Sequence, residues 1–541
     1  MKHSIFHILS TKIFKHIRLP LLAATIIAGT IFDYDNGAQA SPVNISSIVV
    51  GDGGFTINGD TQYSYSGFSV SGVGDINGDG LLDVLVGAPG KGVKIGRDVG
   101  QAYVVFGKKS KTPTNLRDVA AGIGGYTIIG QNGLDMAGFS VSRLGDVNGD
   151  GLADVLVGAP FSDPATGANA GRSYVVFGQR TTRPVFLADV ANGVGGFVIN
   201  GQSAGDRSGT SVSAAGDVNG DGFADLIIGA PFANGGVGRS YVVFGSRTRT
   251  AIDLSNIAAG RGGFVINGES IENQSGISVT GAGDVNGDGL ADLAVGAPKN
   301  NGGDVRNGRS YVVFGSRTPA NVNLSDIAAG RGGFRIDGSQ LFSYSGTVVS
   351  GAGDINGDGL ADLLVGTPGG KPSDTTYNAG RTYVVFGKNT TTPVLLADLD
   401  AGRSGGFVIN GEGREDASGR SVVGLGDINR DGLSDIGIGA PTANTTRVDA
   451  GKAYVVYGKK SFTPVNLATL ATTNSGFVVL GKASFDYTGT SIAPAGDVNG
   501  DGLPDILVGA IGGNSRANSS NLKIRELGYR SGQTFVILGK P

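Results

Sequence analysis

The chain has no cysteine and no tryptophan, and its three histidines, His3, His7 and His16, all fall within the first forty residues. Those forty read as a cleavable leader, which leaves a working chain with neither imidazole nor thiol. Ser-His-Asp and Cys-His nucleophile systems, His-ligated zinc or haem, iron–sulfur clusters and disulfide frameworks are thereby excluded. Carboxylate, hydroxyl and Lys/Arg chemistry remain. Charge is also sparse, at 16% of residues and net −3. It is dispersed with no basic stripe, which argues against a nucleic-acid partner. What is abundant is glycine, 97 of 541 residues, alongside 40% hydrophobic residues and no G-X-Y period. Neither collagen nor disorder fits that mixture, whereas many tight turns between apolar strands do.

Lys2, Lys12, Lys15 and Arg18 form a basic start, Leu19 to Phe32 is an almost unbroken apolar run, and Ala38-Gln39-Ala40 offers a small-x-small cleavage site. The expectation is a signal peptide over 1–40 and a mature chain from near Ser41. The run of fourteen residues is short of the ~20 that a spanning helix needs. No membrane span is expected after cleavage. The expected location is secreted, extracellular or at the cell surface, the periplasm included. Export permits disulfides, so a cysteine-free exported fold is held by something else.

One string recurs seven times: GDINGDGLLD at 74–83, then at 145–154, 216–225, 283–292, 353–362, 426–435 and 496–505, in steps of 67 to 73 residues. So regular a period marks an array of identical units. Each unit carries four strand-like runs, shown by FSVSG (68–72), VLVGAP (84–89), YVVFG (103–107) and GYTI (125–128). Runs of β-branched and aromatic residues bounded by Gly and Pro are strands, and continuously apolar ones are buried on both faces. Four-stranded sheets of that kind suit propeller blades. The chain ends on a third-type strand, TFVIL (534–538), while an extra fourth-type strand, GGFTIN (53–58), precedes the first acidic loop. The expectation is therefore an all-β, seven-bladed β-propeller of four-stranded blades over 41–541. The N-terminal strand would join the last blade and close the ring, leaving no exposed sheet edges.

Each acidic loop reads Asp-x-Asn-x-Asp-Gly-x-x-Asp. The oxygen-bearing side chains are Asp75, Asn77, Asp79, Asp83; Asp146, Asn148, Asp150, Asp154; Asp217, Asn219, Asp221, Asp225; Asp284, Asn286, Asp288, Asp292; Asp354, Asn356, Asp358, Asp362; Asp427, Asn429, Asp431, Asp435; and Asp497, Asn499, Asp501, Asp505. Oxygens at positions 1, 3, 5 and 9, with a backbone carbonyl at 7, match the six to eight hard ligands that calcium takes. Three convergent carboxylates without a cation would repel one another. An EF-hand needs a bidentate acid at position 12 and flanking helices, whereas here the loop runs straight into a strand. Up to seven Ca2+ ions in a structural role are expected. Loss of the leader takes the net charge from −3 to −5, so calcium removal would leave the carboxylates uncompensated.

This turn followed by Gly-Ala-Pro, as at 87–89, 158–160, 229–231, 296–298 and 439–441, resembles the FG-GAP repeat of the integrin alpha-chain N-terminal β-propeller. The resemblance covers about residues 51–541. It implies a seven-bladed propeller, calcium in the hairpins of one face, and adhesion or ligand recognition on the other, in a secreted, prokaryotic-looking relative. The Phe-Gly half is mostly Ser-Gly or Ala-Gly here (Ser66-Gly67, Ala137-Gly138, Ser208-Gly209), and integrin leg and membrane segments are missing, so no beta-chain partner is expected.

Loops opposite the acidic turns vary most: 91–99, 161–170, 371–379 and 512–532. Variable loops on a rigid scaffold are where recognition residues sit. The fourth-to-first-strand loops add the aromatic pairs Tyr63/Tyr65, Phe342/Tyr344 and Phe485/Tyr487 as candidate ligand-binding residues, with inter-blade packing as their alternative role. Arg172, Arg239, Arg309 and Arg381, ahead of the third strand, are expected to pair with neighbouring acids. Glu269, Glu272, Glu412 and Glu415 fall in the same loops, with no spacing that identifies a carboxylate pair. The reading is a calcium-binding adhesion or recognition module for an extracellular protein or glycan. A polysaccharide- or lipid-linked hydrolase or lyase using carboxylate chemistry, or a structural surface protein, is the alternative.

Overall fold

A computed structural model of the chain describes residues 42–91, 99–246, 250–300, 306–373, 375–513 and 530–540. The predicted leader, its cleavage site and the three histidines lie outside the described residues, as do 92–98 and 514–529 of the variable loops.

Seven sheets make an all-β, seven-bladed β-propeller. In blade one, Val70–Gly74, Asp83–Ala88, Gln101–Val105 and Gly125–Ile129 pair antiparallel in chain order. The first strands of the other blades are Ser140–Gly145, Ser211–Gly216, Ser278–Gly283, Val348–Gly353, Ser421–Gly426 and Thr488–Gly496. These first strands contact one another from blade to blade, and that of blade one also touches that of blade seven. Every second strand is buried along its whole length, as expected of sheets sandwiched between sheets. The third-strand rings Tyr103, Tyr174, Tyr241, Tyr311, Tyr383, Tyr454 and Phe535 are among the largest fully buried side chains.

The expectation of four strands per blade is corrected to five. In blade one the fifth strand is Val185–Phe186, which pairs parallel with the outer strand Gly125–Ile129 although it belongs to the following repeat. A five-residue helix, Leu187–Ala191, follows directly and buries Leu187 and Val190. Two apolar residues three apart share one helix face, so one turn suffices to cover the sheet edge. The same unit recurs around the molecule, and its sequence trace, VFLADV, IDLSNI or VNLSDI, is short enough to pass as loop. At the N-terminus the unit is Val43–Asn44 with the helix Ile45–Val49, and it pairs with the outer strand of blade six. Next in the chain, Gly54–Asn58 pairs antiparallel with Gln533–Ile537, the third strand of blade seven.

Neighbouring blades meet backbone to backbone. A Cβ on Gly87 would lie 2.2 Å from the carbonyl oxygen of Gly138 in the next blade, and Gly138 is held within its own blade by its N–H, which donates to Gly158 O at 3.1 Å. The residue before Gly138, Ala137, forms a bridge with Gly100. The same bridge brings Ser66, Ser208, Ser275, Ser345, Ser418 and Thr488 against glycines 532, 171, 238, 308, 380 and 451. This close approach explains why small residues stand in the place of the expected Phe: a ring would have to occupy the seam between blades.

Candidate functional site

The acidic loops join first to second strands on one face of the molecule. In the first copy, Asp75 Oδ1 accepts from Gly78 N–H at 2.6 Å and Oδ2 from Gly80 N–H at 2.9 Å. Asn77 Oδ1 accepts from Asp79 N–H at 2.7 Å, and Asp79 Oδ1 from Leu81 N–H at 2.9 Å. The other loops repeat this pattern closely, Arg430 replacing the fourth-position glycine in the sixth. The ninth residue differs from the other three. Asp83 is fully buried at the start of the second strand and spans two elements, accepting from Ile76 N–H at 2.9 Å and from Gly107 N–H, past the end of the third strand, at 2.8 Å. Asp154, Asp225, Asp292, Asp362, Asp435 and Asp505 make the equivalent bonds. Burial pushes these carboxyls up, to about 7 for Asp83, Asp292 and Asp362 and about 6 for the others, against the lowering effect of the two backbone bonds.

The four predicted side chains of each loop thus lie in one hairpin. Among the described residues no three acidic groups converge as a metal cluster, because the first, third and fifth side chains are turned onto the loop's own N–H groups. The chemistry of the donor set, three carboxylates and an amide oxygen in nine residues, nevertheless fits a hard cation. The loops are also linked to one another. Asp75 O accepts from Ala153 N–H of the next loop at 3.1 Å, and Asp217, Asp284, Asp354 and Asp497 accept likewise from Ala291, Ala361, Ser434 and Leu82.

The opposite face carries the predicted aromatic pairs. Tyr63, Phe342 and Phe485 are 41–50% exposed, whereas Tyr65, Tyr344 and Tyr487 are half-buried. The rings of Tyr63/Tyr65 and of Phe485/Tyr487 lie 6.5 and 6.4 Å apart. Arg530 connects these two pairs: its guanidinium stands 5.6 Å from the Tyr487 ring and its carbonyl accepts from Tyr63 N–H at 2.8 Å. The Phe342/Tyr344 pair belongs to blade five, so the three pairs do not form one site. The pattern alone did not reveal the backbone beneath them. All six residues sit at positive φ, between 52° and 64°, and Leu134 and Met136, Glu272 and Gln274, and Glu415 and Ala417 at the same places in other blades also have positive φ, between 52° and 71°. Bulky residues are disfavoured there, at a cost on the order of 1 kcal/mol each.

The pre-third-strand cations are mostly structural, and the expectation of acidic partners holds for only some of them. Arg172 donates to the side-chain amides of Asn200 and Gln131, and Arg239 to those of Asn267 and Gln202. Arg309 pairs with Glu269 and Asp337, and Arg381 with Asp400. Glu412 holds Lys452 and the Tyr454 hydroxyl. The structure also shows a patch missed in the sequence. Phe68 and Phe139 lie 4.9 Å apart, Phe161 is 6.4 Å from Phe139, and Arg207 stands 5.0 and 4.3 Å from Phe161 and Phe232. These rings lie about 20 to 70 residues apart in the chain; Phe68 meets Phe139, and Arg207 joins Phe161 to Phe232, across neighbouring blades, whereas Phe139 and Phe161 share one blade.

A repeated hairpin of this kind, seven times around a propeller, defines a class. The FG-GAP repeat model matches at 66–105, 137–176, 208–243, 275–313, 345–385, 418–456 and 488–521, and the chain belongs to the FG-GAP repeat proteins. It is similar to the integrin alpha pat-2 of Caenorhabditis elegans, 33% identical over 254 residues, 44% of this chain and 18% of that protein. Integrin alpha-PS2 of Drosophila melanogaster is 29% identical over 267 residues, covering 48% and 16%. The phosphatidylinositol-glycan-specific phospholipase D of Bos taurus is 28% identical over 404 residues, covering 71% of this chain and 45% of that protein. The chain therefore spans a fifth or less of the integrins it matches and less than half of the phospholipase. No helix among the described residues is long and apolar enough to cross a membrane.

Proposed function

We propose that this protein is an exported recognition module, a calcium-stabilised propeller whose loop face binds an extracellular protein or glycan. The observation that carries the reading is the set of aromatic side chains held exposed on left-handed backbone in blades one, five and seven. Fold stability alone gives no reason to place Tyr or Phe where glycine would be unstrained. Integrin alpha relatives support recognition as the role. The acidic loops would hold Ca2+ through Asp75, Asn77, Asp79 and Asp83 and their six counterparts, the ion supplying the countercharge that three neighbouring carboxylates lack. Pairing of Gly54–Asn58 with the last blade would close the ring, and the leader over 1–40 would direct export.

A second reading, hydrolysis of a lipid-linked glycan, is favoured by the alignment to the phospholipase across 71% of this chain. Against it, Glu269 and Glu412 are occupied by Arg309 and Lys452. Binding of the purified chain to an array of glycans and matrix proteins, with calcium and with EGTA, tests the first reading. Selective, calcium-dependent binding is expected, and an array silent toward a folded, calcium-loaded protein overturns it.

A further inference from the structure

The aromatic patch at the seam between blades two and three contains a cation without a countercharge. The residue after Gly-Ala-Pro is aromatic in those two blades alone, as Phe161 and Phe232. Arg207, in the loop that joins them, is the only cation among the seven residues at its place in the repeat, where blades one, five and seven carry Tyr65, Tyr344 and Tyr487. Its φ is 53°. Its main chain is fixed on both sides, the N–H donating to Asn169 O at 3.0 Å and the carbonyl accepting from the Thr210 hydroxyl at 2.7 Å. Phe139, directly ahead of the innermost strand Ser140–Gly145, extends the patch toward the axis and meets Phe68 of blade one.

The Arg207 guanidinium stands 5.0 Å from the Phe161 ring and 4.3 Å from the Phe232 ring. Rings attract a cation but leave its planar set of N–H donors without an oxygen acceptor. Among the described residues the Arg207 side chain has no hydrogen-bond or ion-pair partner, and none of its nitrogens is sealed from water. By contrast, Arg172, Arg239 and Arg309 spend their donors on side-chain amides or acids. Burial lowers the pKa of Arg207, and no carboxylate stands near enough to raise it. The fold does not require a charge at this place, since the apolar Met136 fills it in blade two. A half-buried cation on left-handed backbone, with its donors open to water, is thus left over from the packing.

We infer that this patch binds an acidic polypeptide segment, an aspartate or glutamate carboxylate pairing with Arg207 while an aromatic or large apolar residue beside it lies on the half-buried Phe68 and Phe139 rings. A planar guanidinium offers a carboxylate two parallel N–H donors, and the apolar surroundings strengthen the pair. The patch does not suit a sugar. Stacking needs an open ring face, whereas Phe161 is 8% exposed and Phe139 has a ring against it on each of two sides. Nor does it suit a polyanion such as a sulfated glycan or an anionic membrane, because one cation stands among the rings of a chain whose net charge is −3. The inference rests on the recognition reading and narrows it to a protein ligand.

The chain has no tryptophan, so the fluorescence of a tryptophan-bearing peptide reports binding directly. The probes are two peptides with blocked ends, Gly-Ser-Trp-Asp-Ser-Gly and its counterpart Gly-Ser-Trp-Asn-Ser-Gly. They are titrated with the purified chain, with Arg207→Gln and with Arg331→Gln, which removes an exposed charge at the outer edge of the sheet. The Asp peptide should bind the parent chain, with the Asn peptide about tenfold weaker, and Arg207→Gln should lose about tenfold in affinity for the Asp peptide while Arg331→Gln loses none. The two peptides compared on the parent chain need no variant, so the test holds even where Arg207→Gln does not fold. Equal binding of the two peptides, an equal loss in Arg331→Gln, binding indifferent to Arg207→Gln, or no binding of the Asp peptide overturns the site. Phosphatidylglycerol vesicles or dextran sulfate bound as tightly, with the same loss in Arg207→Gln, would make the ligand a polyanion and overturn the peptide assignment. If array proteins still bind, the recognition reading stands and only this site fails; if neither the peptide nor anything on the array binds, both fail.

Discussion

At the residue scale, internal repetition turns single side chains into comparisons. Tyr126 occupies a fourth-strand position at which the other six repeats carry Phe55, Phe197, Phe264, Phe334, Phe407 and Phe477. Its ring is fully buried and its hydroxyl has no partner. A buried, unbonded hydroxyl is destabilising relative to the same ring without it. Tyr126→Phe should therefore raise stability by about 1 kcal/mol, read as a higher urea midpoint at unchanged slope; a lower midpoint would show that the hydroxyl finds an acceptor in solution. The ninth-position aspartates bear on the same point. The motif makes Asp83 a candidate metal ligand, yet its two oxygens also tie a hairpin to the end of another strand. A one-dimensional motif cannot show a bond to Gly107, 24 residues away.

At the element scale, the two-residue strand and one-turn helix cover each sheet edge with residues lent by a neighbour. The N-terminal copy covers blade six with Val43, Ile45 and Ile48, the last two fully buried against Val479, Phe535 and Ile537 in one cluster. Truncating a buried isoleucine leaves a cavity, and Ile48→Ala should cost about 2–4 kcal/mol, measured by denaturant unfolding. The exposed neighbour Val50, truncated to Ala, should cost almost nothing and serves as the control. These elements escaped the sequence reading because a five-residue helix shows barely one period of its hydrophobic pattern, and a two-residue strand shows none. The long, apolar second and third strands were legible for the opposite reason: burial on both faces leaves no polar residue to interrupt them.

At the scale of the whole molecule, backbone bonds link the acidic loops across five of the seven seams between blades. The bond from Ala153 N–H to Asp75 O carries loop one to loop two, and equivalent bonds join loops three to six in turn and loop seven to loop one. The seam between loops two and three carries no such bond, and neither does that between loops six and seven, where Pro504 at the donor position has no N–H. Arg430 instead reaches across to Gly502 O. If the loops hold calcium as proposed, stripping it from sites linked in this way should weaken interfaces as well as hairpins. The expected outcome is a fall in melting temperature in EGTA, restored by added Ca2+ and not by Mg2+, because the smaller ion demands near-ideal octahedral geometry. A melting curve indifferent to EGTA would remove calcium from the account of stability.

The sequence by itself determined the period, the count of seven units, the strands rich in β-branched and aromatic residues, and the acidic turns, since each is written in consecutive residues whose spacing repeats the geometry. It also determined where the variable loops fall. Only the tertiary structure decided the fifth strands, the glycine seams between blades, the left-handed backbone under the aromatic pairs and the partners of the arginines ahead of the third strands. Each of these depends on atoms from different repeats meeting in space. Asp400 looks like an ordinary residue of a surface turn along the chain, and its bond to Arg381 exists only because the helix that carries it folds back beside the third strand.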